Sequence, residues 1–387
     1  MSQVVIIGCG LVGAAIAYEL SAITNLKITV LDRQLPAQGS TGAALGVLMG
    51  AISQKKKGRA WKLREHSLRT YEMWVPELEK VTAQSIRFNR DGLVRLIFGD
   101  DNLEKWEALR TIRHDQGWPL EIWPRSELDQ RYPGIGEYVG DRMITGAIYS
   151  GGDRQIDPKA LTYALIAACK QRGVTFHFET EVCGLDLSSD AAFSTHPHLI
   201  LTPSTSLQAD WVIISAGLET TGLTEGVQHP VDIRPVLGQA MRVRLPLSVV
   251  AEAMSSQVAN DMSTFQPVLT GNDVHVIPLG VKDVHQEYWV GATVEFPDDH
   301  GSVMADEALF QQMWAGAIAF YPVLANADIL ERWSGNRPRP FGRPAPIVEP
   351  LAGSSQVIVA AGHYRNGVLL APATAHLVKE FMGYGDS

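Results

Sequence analysis

The first 32 residues carry the clearest pattern of hydrophobic and polar positions in the chain. Residues 4–7 are four apolar β-branched residues in a row, which is typical of a strand buried on both faces. An amphipathic run from Leu11 to Leu20 then predicts a helix, and the segment from Lys27 to Leu31 predicts a second strand. These residues therefore predict a β-α-β unit.

The turn inside this unit has the glycine spacing of a dinucleotide-binding fingerprint. Gly8 permits a tight turn, Gly10 lets a pyrophosphate approach the backbone, and Gly13 lets the helix and strand pack closely. Amide groups at the helix N-terminus can bind the phosphates. Asp32 ends the second strand, where a carboxylate can accept hydrogen bonds from ribose hydroxyls. An acid at this position favours FAD or NAD over NADP.

Further along the chain the pattern alternates between two kinds of sequence. Residues 1–52, 144–226 and 331–387 look like α/β pieces of a dinucleotide-binding domain, whereas residues 53–143 and 227–330 hold antiparallel-looking strands and more aromatic residues. We therefore predict an α/β fold in which a discontinuous Rossmann-like βαβ lobe is interleaved with an α+β substrate lobe. A chain that passes back and forth between two lobes places a site at their junction.

Local signals predict further element boundaries. Asp157 followed by Pro158 is typical of a helix start, and Ser126 is predicted to cap another helix. Residues 174–178 and 181–182 are predicted to form adjoining strand segments.

Composition and charge narrow the class of protein. A formal charge of −9 argues against a nucleic-acid binder, and no apolar run reaches the ~18 residues that a membrane-spanning helix needs. Cys9, Cys169 and Cys183 match neither a metal-site spacing nor a disulfide framework, so no metal is predicted and the two later cysteines are expected to be buried. Because the first strand starts at Val4, we expect no signal peptide and a cytoplasmic enzyme.

Two short segments after Asp32 have unusual composition. Residues 38–50 alternate small with apolar residues, which suits backbone lying against a flat ligand, and Ser40 and Thr41 can donate to a phosphate. Residues 55–59 are a basic run. This run fits either a solvated surface or a patch that steers an anionic substrate or an electron-accepting partner, and the sequence leaves both possibilities open.

Several motifs occur together in an order that resembles one known family. They are the glycine fingerprint with Asp32, the small residues after Gly39, Asp157-Pro158, Ala216-Gly217, Gly335-Asn336-Arg337-Pro338 and Gly362-His363-Tyr364-Arg365-Asn366-Gly367. Together they resemble the FAD-dependent amine oxidases of the D-amino acid oxidase and sarcosine oxidase superfamily. The segment 362–373 is most similar to glycine oxidase.

This resemblance implies FAD as the cofactor. Covalent members of the family carry a cysteine near the position of Arg337, and none stands there in this chain, which implies that the FAD is bound non-covalently. The resemblance further implies that Asp32 binds the adenosine ribose, that Ser40 and Thr41 bind the phosphates, and that the Val182 backbone contacts the adenine.

The last predicted helix has an implied role at the flavin ring. Gly367 and Val368 would lie against the flavin pyrimidine, and the dipole at the helix N-terminus would stabilise the negative charge that reduction places there. The complete set of implied cofactor-binding residues is Gly8, Gly10, Leu11, Val12, Gly13, Asp32, Arg33, Ser40, Thr41, Ala43, Ala44, Gly46, Val47, Leu48, Val182, Ala216, Gly217, Arg337, His363, Tyr364, Arg365, Asn366, Gly367 and Val368.

The implied reaction is oxidation of the C–N bond of a small amino acid, of the glycine, sarcosine or D-amino acid type, to an imine. Hydride passes from Cα to flavin N5, and reoxidation by oxygen gives hydrogen peroxide. Arg337 and Arg365 match the family positions nearest the substrate, and guanidinium binds a carboxylate bidentately without losing its proton. Either arginine could instead form a structural ion pair. No general base is needed if the amine enters neutral. His275 is kept as a candidate catalytic residue. Both His275 and His363 could instead be packed, hydrogen-bonded histidines without a catalytic role.

The sequence also leaves other functions open. Glycine-oxidase-like enzymes tend to carry a tyrosine on the strand where this chain has Val274-His275-Val276, and a basic residue at the position of Leu279. Because of these differences, a larger or secondary amine is a further candidate substrate. One alternative is a dehydrogenase that passes electrons to a quinone or carrier, supported by the basic run. A second is a flavin-dependent tRNA-modifying enzyme, against which the acidic charge argues. A third is a redox-binding module without catalysis. A homo-oligomer is possible.

Overall fold

The computed structural model describes residues 1–187, 198–227, 229–249, 266–282, 285–298 and 300–385. The helices described are α1 (Leu11–Leu20), α2 (Ser40–Ala43), α3 (Arg59–Thr82), α4 (Leu103–Asp115), α5 (Arg125–Arg131), α6 (Pro158–Gln171), α7 (Thr220–Glu225), α8 (Glu307–Phe320) and α9 (Gly367–Phe381). The strands described are β1 (Ser2–Ile7), β2 (Leu26–Leu31), β3 (Val47–Leu48), β4 (Phe88–Asn89), β5 (Leu93–Phe98), β6 (Leu120–Pro124), β7 (Tyr138–Val139), β8 (Arg142–Ser150), β9 (Arg154–Ile156), β10 (Thr175–His177), β11 (Gly184–Asp186), β12 (His198–Leu201), β13 (Ser206–Ala209), β14 (Trp211–Ile214), β15 (Ile233–Pro246), β16 (Val268–Gly271), β17 (Val274–Lys282), β18 (His285–Gly291), β19 (Asp328–Pro340), β20 (Ile347–Leu351) and β21 (Ser354–Ala361).

A mostly parallel sheet contains the predicted β-α-β unit. Six described strands form it in the order β10-β2-β1-β14-β21-β20, and only β20 runs antiparallel to its neighbour. Helix α1 begins at Leu11 directly after the glycine turn, as the sequence predicts. Its buried face and the inner residues of β1 share one core with α6 and α9. The predicted unit is confirmed.

A second, mainly antiparallel sheet forms the other layer. Its described strands run in the order β19-β15-β18-β17-β16-β5-β8-β6, with β7 paired to β8. One face packs against α8 through Phe310 and Phe320. On the other face His275, Gly291, Ala240 and Trp333 lie in register across β17, β18, β15 and β19. The structure thus confirms a mixed α/β fold with one parallel and one antiparallel layer.

Helix α3 is bonded to α9 at the first turns of α9. Pro372 lies inside α9 and has no amide hydrogen, so the Val368 carbonyl lacks its usual intrahelical donor. The buried hydroxyl of Tyr71 donates to that carbonyl in a short hydrogen bond. Ser67, one turn earlier on α3, accepts from the Ala373 amide at 3.2 Å. Helix α3 therefore holds the start of α9 in place.

Several local predictions were wrong. Helix α5 begins at Arg125 with Pro124 at its N-cap, so Ser126 lies inside the first turn and caps nothing. Residues 181–182 are not a strand, because the chain leaves the sheet after β10. Cys9 and Cys169 are buried, whereas Cys183 is exposed.

The two-lobe domain division stays a prediction. Its boundaries at 144 and 331 fall inside β8 and β19, which both belong to the antiparallel sheet. Within the described residues, no helix combines the length and apolar character needed to cross a membrane.

Candidate active site

A cavity of about 1380 Å³ opens between the two sheets. Small-molecule pockets usually measure ~300–1,000 Å³, so this cavity can hold an extended cofactor together with a substrate. Most residues predicted to bind cofactor or substrate line it: Gly8, Gly10, Leu11, Val12, Asp32, Arg33, Ser40, Thr41, Ala43, Ala44, Gly46, Val47, Val182, Ala216, Gly217, His275, Arg337, His363, Tyr364, Arg365, Gly367 and Val368.

Three residues predicted to bind the cofactor do not line the cavity. A Cβ at Gly13 would lie 1.9 Å from the Gly8 carbonyl oxygen, so Gly13 serves the close packing of helix and turn. Leu48 is fully buried in the core. Asn366 lies at the N-cap of α9, behind Gly367.

The glycine turn brings backbone amides to one end of the cavity. Gly8 has φ +100°, and a Cβ there would lie 2.5 Å from the Ser215 carbonyl oxygen, so only glycine fits this turn. Gly10 is followed by the start of α1, whose first amides have no intrahelical partner. The Leu11 amide donates to the Thr41 hydroxyl oxygen at 2.9 Å. The geometry of this end of the cavity suits an anion such as a pyrophosphate.

Asp32 and Ser40 already have protein partners. The Asp32 carboxylate accepts from the amides of Cys9 at 2.6 Å and Gln34 at 2.8 Å, which fixes it beside the glycine turn and leaves lone pairs for a ligand. The Ser40 hydroxyl donates to the Asn336 carbonyl at 2.6 Å. Ser40 therefore ties α2 to β19, and its hydroxyl hydrogen is engaged there.

Arg337 lies on the cavity wall at the antiparallel sheet. Its guanidinium donates to two main-chain carbonyls, those of Leu237 at 3.0 Å and Thr293 at 3.1 Å. Among the described residues no Asp or Glu forms an ion pair with it. Burial lowers the pKa of Arg337, and the nearby Arg365 lowers it further. Guanidinium nevertheless stays protonated, so the wall presents a cation that has no ion-pair partner among the described residues.

The nearby carboxylate of Glu295 is held by other donors. It accepts from the Gln239 amide group at 2.9 Å, from the Asp306 main-chain amide at 2.8 Å and from the Thr293 hydroxyl in a short hydrogen bond. Glu295 thus fixes the segment after β18 that carries Thr293, one of the two residues whose carbonyls accept from Arg337. Glu295 is buried and is not one of the residues that line the cavity, and no ion pair joins it to Arg337.

Arg365 and His275 lie beside Arg337. Arg365 has 37% of its side chain exposed and forms a loose ion pair, 3.7 Å long, with Asp273, whose side chain is 74% exposed. His275 Nδ1 lies 2.9 Å from the Thr270 hydroxyl. Burial lowers the pKa of His275 to about 4, and Arg365, Arg337 and Arg95 lower it in the same direction. His275 is therefore neutral near pH 7.

The start of α9 faces the cavity at Gly367 and Val368. A short 3₁₀ turn over Tyr364–Asn366 precedes it. His363, just before this turn, is 3% exposed and bonds Thr374 of α9 at 2.8 Å through Nε2. Burial lowers the pKa of His363 to about 4. His363 thus packs beneath the helix as a neutral side chain.

Reasoning from the sequence missed a number of lining residues, and four of them bear on the chemistry of the cavity. Trp289 and Trp333 pack edge to face, with ring centres 6.1 Å apart, and give the cavity an apolar wall near Arg337. Gly238 leaves room for Arg337, since a Cβ there would lie 2.2 Å from Nη2. Asn336 Oδ1 is buried without a partner among the described residues. The Gly-Asn-Arg-Pro motif was the available signal for Asn336.

The chain matches a known protein family over nearly its whole length. The family described as "DAO: FAD dependent oxidoreductase" matches residues 3–381. The chain belongs to this family. It is therefore an FAD-dependent oxidoreductase, as its motifs predicted, and FAD is its cofactor.

Curated relatives and solved structures agree with this family. The chain is 28% identical to the bifunctional protein ThiO/ThiG of Trichormus variabilis, over 98% of the chain but only 52% of that protein. It is 25% identical to the glycine oxidase of Bacillus subtilis, over 98% of the chain and 92% of that protein. The crystal structure of glycine oxidase from Geobacillus kaustophilus superposes with a TM-score of 0.82 at 23% identity, covering 100% of this chain and 96% of that one. The chain thus spans about half the length of the first of these relatives.

The residues of this family member fit FAD. The glycine cradle at Gly8 and Gly13 has no room for a side chain, and two helix N-termini face the cavity. Asn336 Oδ1 is an unused acceptor in the wall. Residues around the glycine turn would hold the phosphates, and residues at the start of α9 would contact the ring system. Within the described residues, no group of three His, Cys, Asp or Glu side chains is placed to hold a metal ion.

Proposed function

We propose that this FAD-dependent oxidoreductase oxidises the C–N bond of a small amino acid, of the glycine, sarcosine or D-amino acid type, to an imine. We further propose that the FAD is non-covalent and that oxygen regenerates it, giving hydrogen peroxide. The similarity to proteins named glycine oxidase supports the substrate class. The observation that carries the proposal is the Arg337 guanidinium, held by main-chain carbonyls on the cavity wall without a carboxylate partner among the described residues.

Arg337 would bind the carboxylate of the substrate. Carbonyl groups satisfy its hydrogen-bonding groups without neutralising its charge, so the charge is left for an anionic ligand. Arg365 adds a second cation beside it, only loosely paired with Asp273. A substrate held by its acid end has its amine end directed along the cavity, which fixes the C–H bond that must break.

Residues around the glycine turn and at the start of α9 would hold FAD, which would supply the acceptor for the hydride that leaves Cα. The walls at Trp289 and Trp333 would keep water from the reacting carbon. His275 is neutral near pH 7 and offers the amine a hydrogen-bonding partner rather than a charge, so we keep it as a candidate contact. No residue needs to act as a general base if the amine enters neutral.

Substitution of Arg337 tests this proposal. We expect Arg337→Met to raise the half-saturating substrate concentration for anaerobic flavin reduction by on the order of 30- to 4000-fold, because loss of a buried charge pair costs about 2–5 kcal/mol. Arg337→Lys keeps the charge without the bidentate geometry, so its half-saturating substrate concentration should lie between those of wild type and Arg337→Met. Arg332→Met is the matched control, since Arg332 lies exposed on the same strand in an ion pair with Glu307.

A wild-type concentration dependence in Arg337→Met would refute the carboxylate clamp. Peroxide formation in air tests the electron acceptor separately. Turnover with an artificial dye and no peroxide in air would favour the dehydrogenase that passes electrons to a carrier.

A further inference from the structure

Arg64 is a buried cation beside the helix start that faces the cavity. The residue is 9% exposed, and its Nη1 donates to the Ala60 carbonyl of its own helix at 2.8 Å. Its Nη2 lies 3.5 Å from Oδ1 of Asn366, the N-cap residue of α9. Its Nε is buried without a partner. Within the described part of the chain, Arg64 has no ion pair with an acid.

Arg113, a second buried arginine, is held differently. Arg113 is fully buried, but its guanidinium donates to the carbonyls of Ala51, Ser53 and Lys55 and to the Gln116 side chain at 2.6–3.0 Å. It is a structural arginine that fixes the loop before α3. Arg64 makes one good hydrogen bond and one long one. A buried charge left in this state costs free energy unless an anion compensates it.

The start of α9 adds a second positive end at the same place. The first amides of the helix and the helix dipole face the cavity at Gly367 and Val368, and Arg64 lies behind them at Asn366. The Arg64 guanidinium and the N-terminus of α9 repel one another, so a negative charge bound next to them stabilises both. The contacts of Tyr71 and Ser67 with α9 keep this geometry fixed.

We propose that Arg64 is a positioning residue that raises the reduction potential of the bound FAD. Hydride transfer adds two electrons and one proton to the flavin, so the ring gains one negative charge. The positive charge of Arg64, which lies behind the start of α9, stabilises the negative charge of the reduced flavin and therefore favours the reduced state. The proposal rests on FAD binding in this cavity with its ring at the start of α9, and it does not depend on which amine is the substrate.

The test is the two-electron reduction potential of the holoenzyme, measured by equilibration with a reference dye. We expect Arg64→Met to shift the dye equilibrium at least tenfold toward oxidised flavin, which corresponds to a potential lower by about 30 mV. Arg64→Lys retains the charge and should keep the wild-type potential within the error of the measurement. Arg69→Met is the matched control, because Arg69 is 59% exposed on the same helix.

Stability of the apoprotein separates this role from a structural one. Removal of an uncompensated buried charge in favour of an apolar side chain of similar size should leave apo Arg64→Met at least as stable as wild type toward urea. If the role of Arg64 is only structural, Arg64→Met should instead lower the stability and leave the reduction potential unchanged. That result would overturn the proposal. An equal drop in potential in Arg64→Met and Arg64→Lys would also overturn it, because packing would then be the cause.

Arg64→Gln repeats the measurement with a neutral polar side chain if Arg64→Met does not retain FAD. The dye titration needs no amine substrate. A protein that fails to oxidise amino acids but shows the Arg64 effect would refute the proposed function alone.

Discussion

At the residue scale, the role of Arg337 depends on the glycine beneath it. Gly238 lies on β15, next to the strand that carries Arg337, and a Cβ at this position would approach the guanidinium to 2.2 Å. We expect Gly238→Ala to displace the guanidinium and raise the half-saturating substrate concentration toward that of Arg337→Met, with FAD content unchanged. Flavin absorbance and anaerobic titration measure the two quantities.

Gly316→Ala is the control for that substitution, because nothing lies within 4 Å of the position where its Cβ would be. Unchanged substrate affinity in Gly238→Ala would show that Arg337 does not need this position to bind the substrate.

His363 makes stability depend on pH. Its pKa is lowered to about 4 in the folded protein, compared with about 6.5 in an unfolded chain. Between these values the unfolded state binds a proton that the native state does not, so the free energy of unfolding falls as the pH falls from about 6.5 to about 4. His275 acts in the same direction. We expect His363→Gln to make this pH dependence shallower in urea unfolding at pH 7 and pH 5; an identical slope would contradict the assignment.

At the element scale, the first turns of α9 depend on a donor from another helix. Tyr71→Phe removes the hydroxyl that satisfies the Val368 carbonyl, so we expect a loss of about 1–3 kcal/mol in the free energy of unfolding. Tyr163→Phe is the comparison, because Tyr163 is 47% exposed and makes only a 3.3 Å bond to Pro36, and its effect should stay within about 0.5 kcal/mol. Equal losses in the two variants would show that the hydroxyl of Tyr71 has no special role.

Elements specified by neighbouring residues could be predicted from the sequence. The β-α-β unit follows from local periodicity and three glycines, and the start of α6 follows from Asp157, which accepts from the Lys159 and Ala160 amides. The bond between Tyr71 and Val368 spans 297 positions, and no local pattern contains it. Ser126 failed as a cap because the helix begins at Arg125, which places Ser126 inside the first turn, two residues after the N-cap residue Pro124.

The chemistry of α3 was missed although the sequence contained a signal. Trp61, Arg64, Leu68 and Tyr71 follow one another at three- and four-residue steps, so Arg64 falls on the apolar stripe of the helix. A charge on such a stripe is buried when the stripe packs. The partner at Asn366 lies 302 positions away, which is why its contact with α9 could not be predicted.

At the scale of the whole molecule, the cofactor was easier to predict than the substrate. The residues around the glycine turn that are predicted to bind the cofactor follow one another in short motifs, and the family match supports FAD as the cofactor. The part of the cavity proposed to hold the substrate is built by β15, β17, β18 and β19, which meet only in the folded sheet. Arg337 was predicted from a motif, whereas Trp289, Trp333 and Gly238 could be identified as lining residues only from the pairing of these strands in the structure.

The most direct test of the account is anaerobic mixing of the wild-type holoenzyme with a matched pair of ligands. One ligand is a small amino acid such as glycine, sarcosine or D-alanine, and the other is its carboxamide, which keeps the amine and Cα but lacks the carboxylate. We predict that at least one amino acid bleaches the flavin absorbance and that its carboxamide does not at the same concentration. If the carboxamide bleaches the flavin as readily as the acid, or if none of the amino acids bleaches it, the claim that Arg337 binds the carboxylate of an amino acid substrate is contradicted.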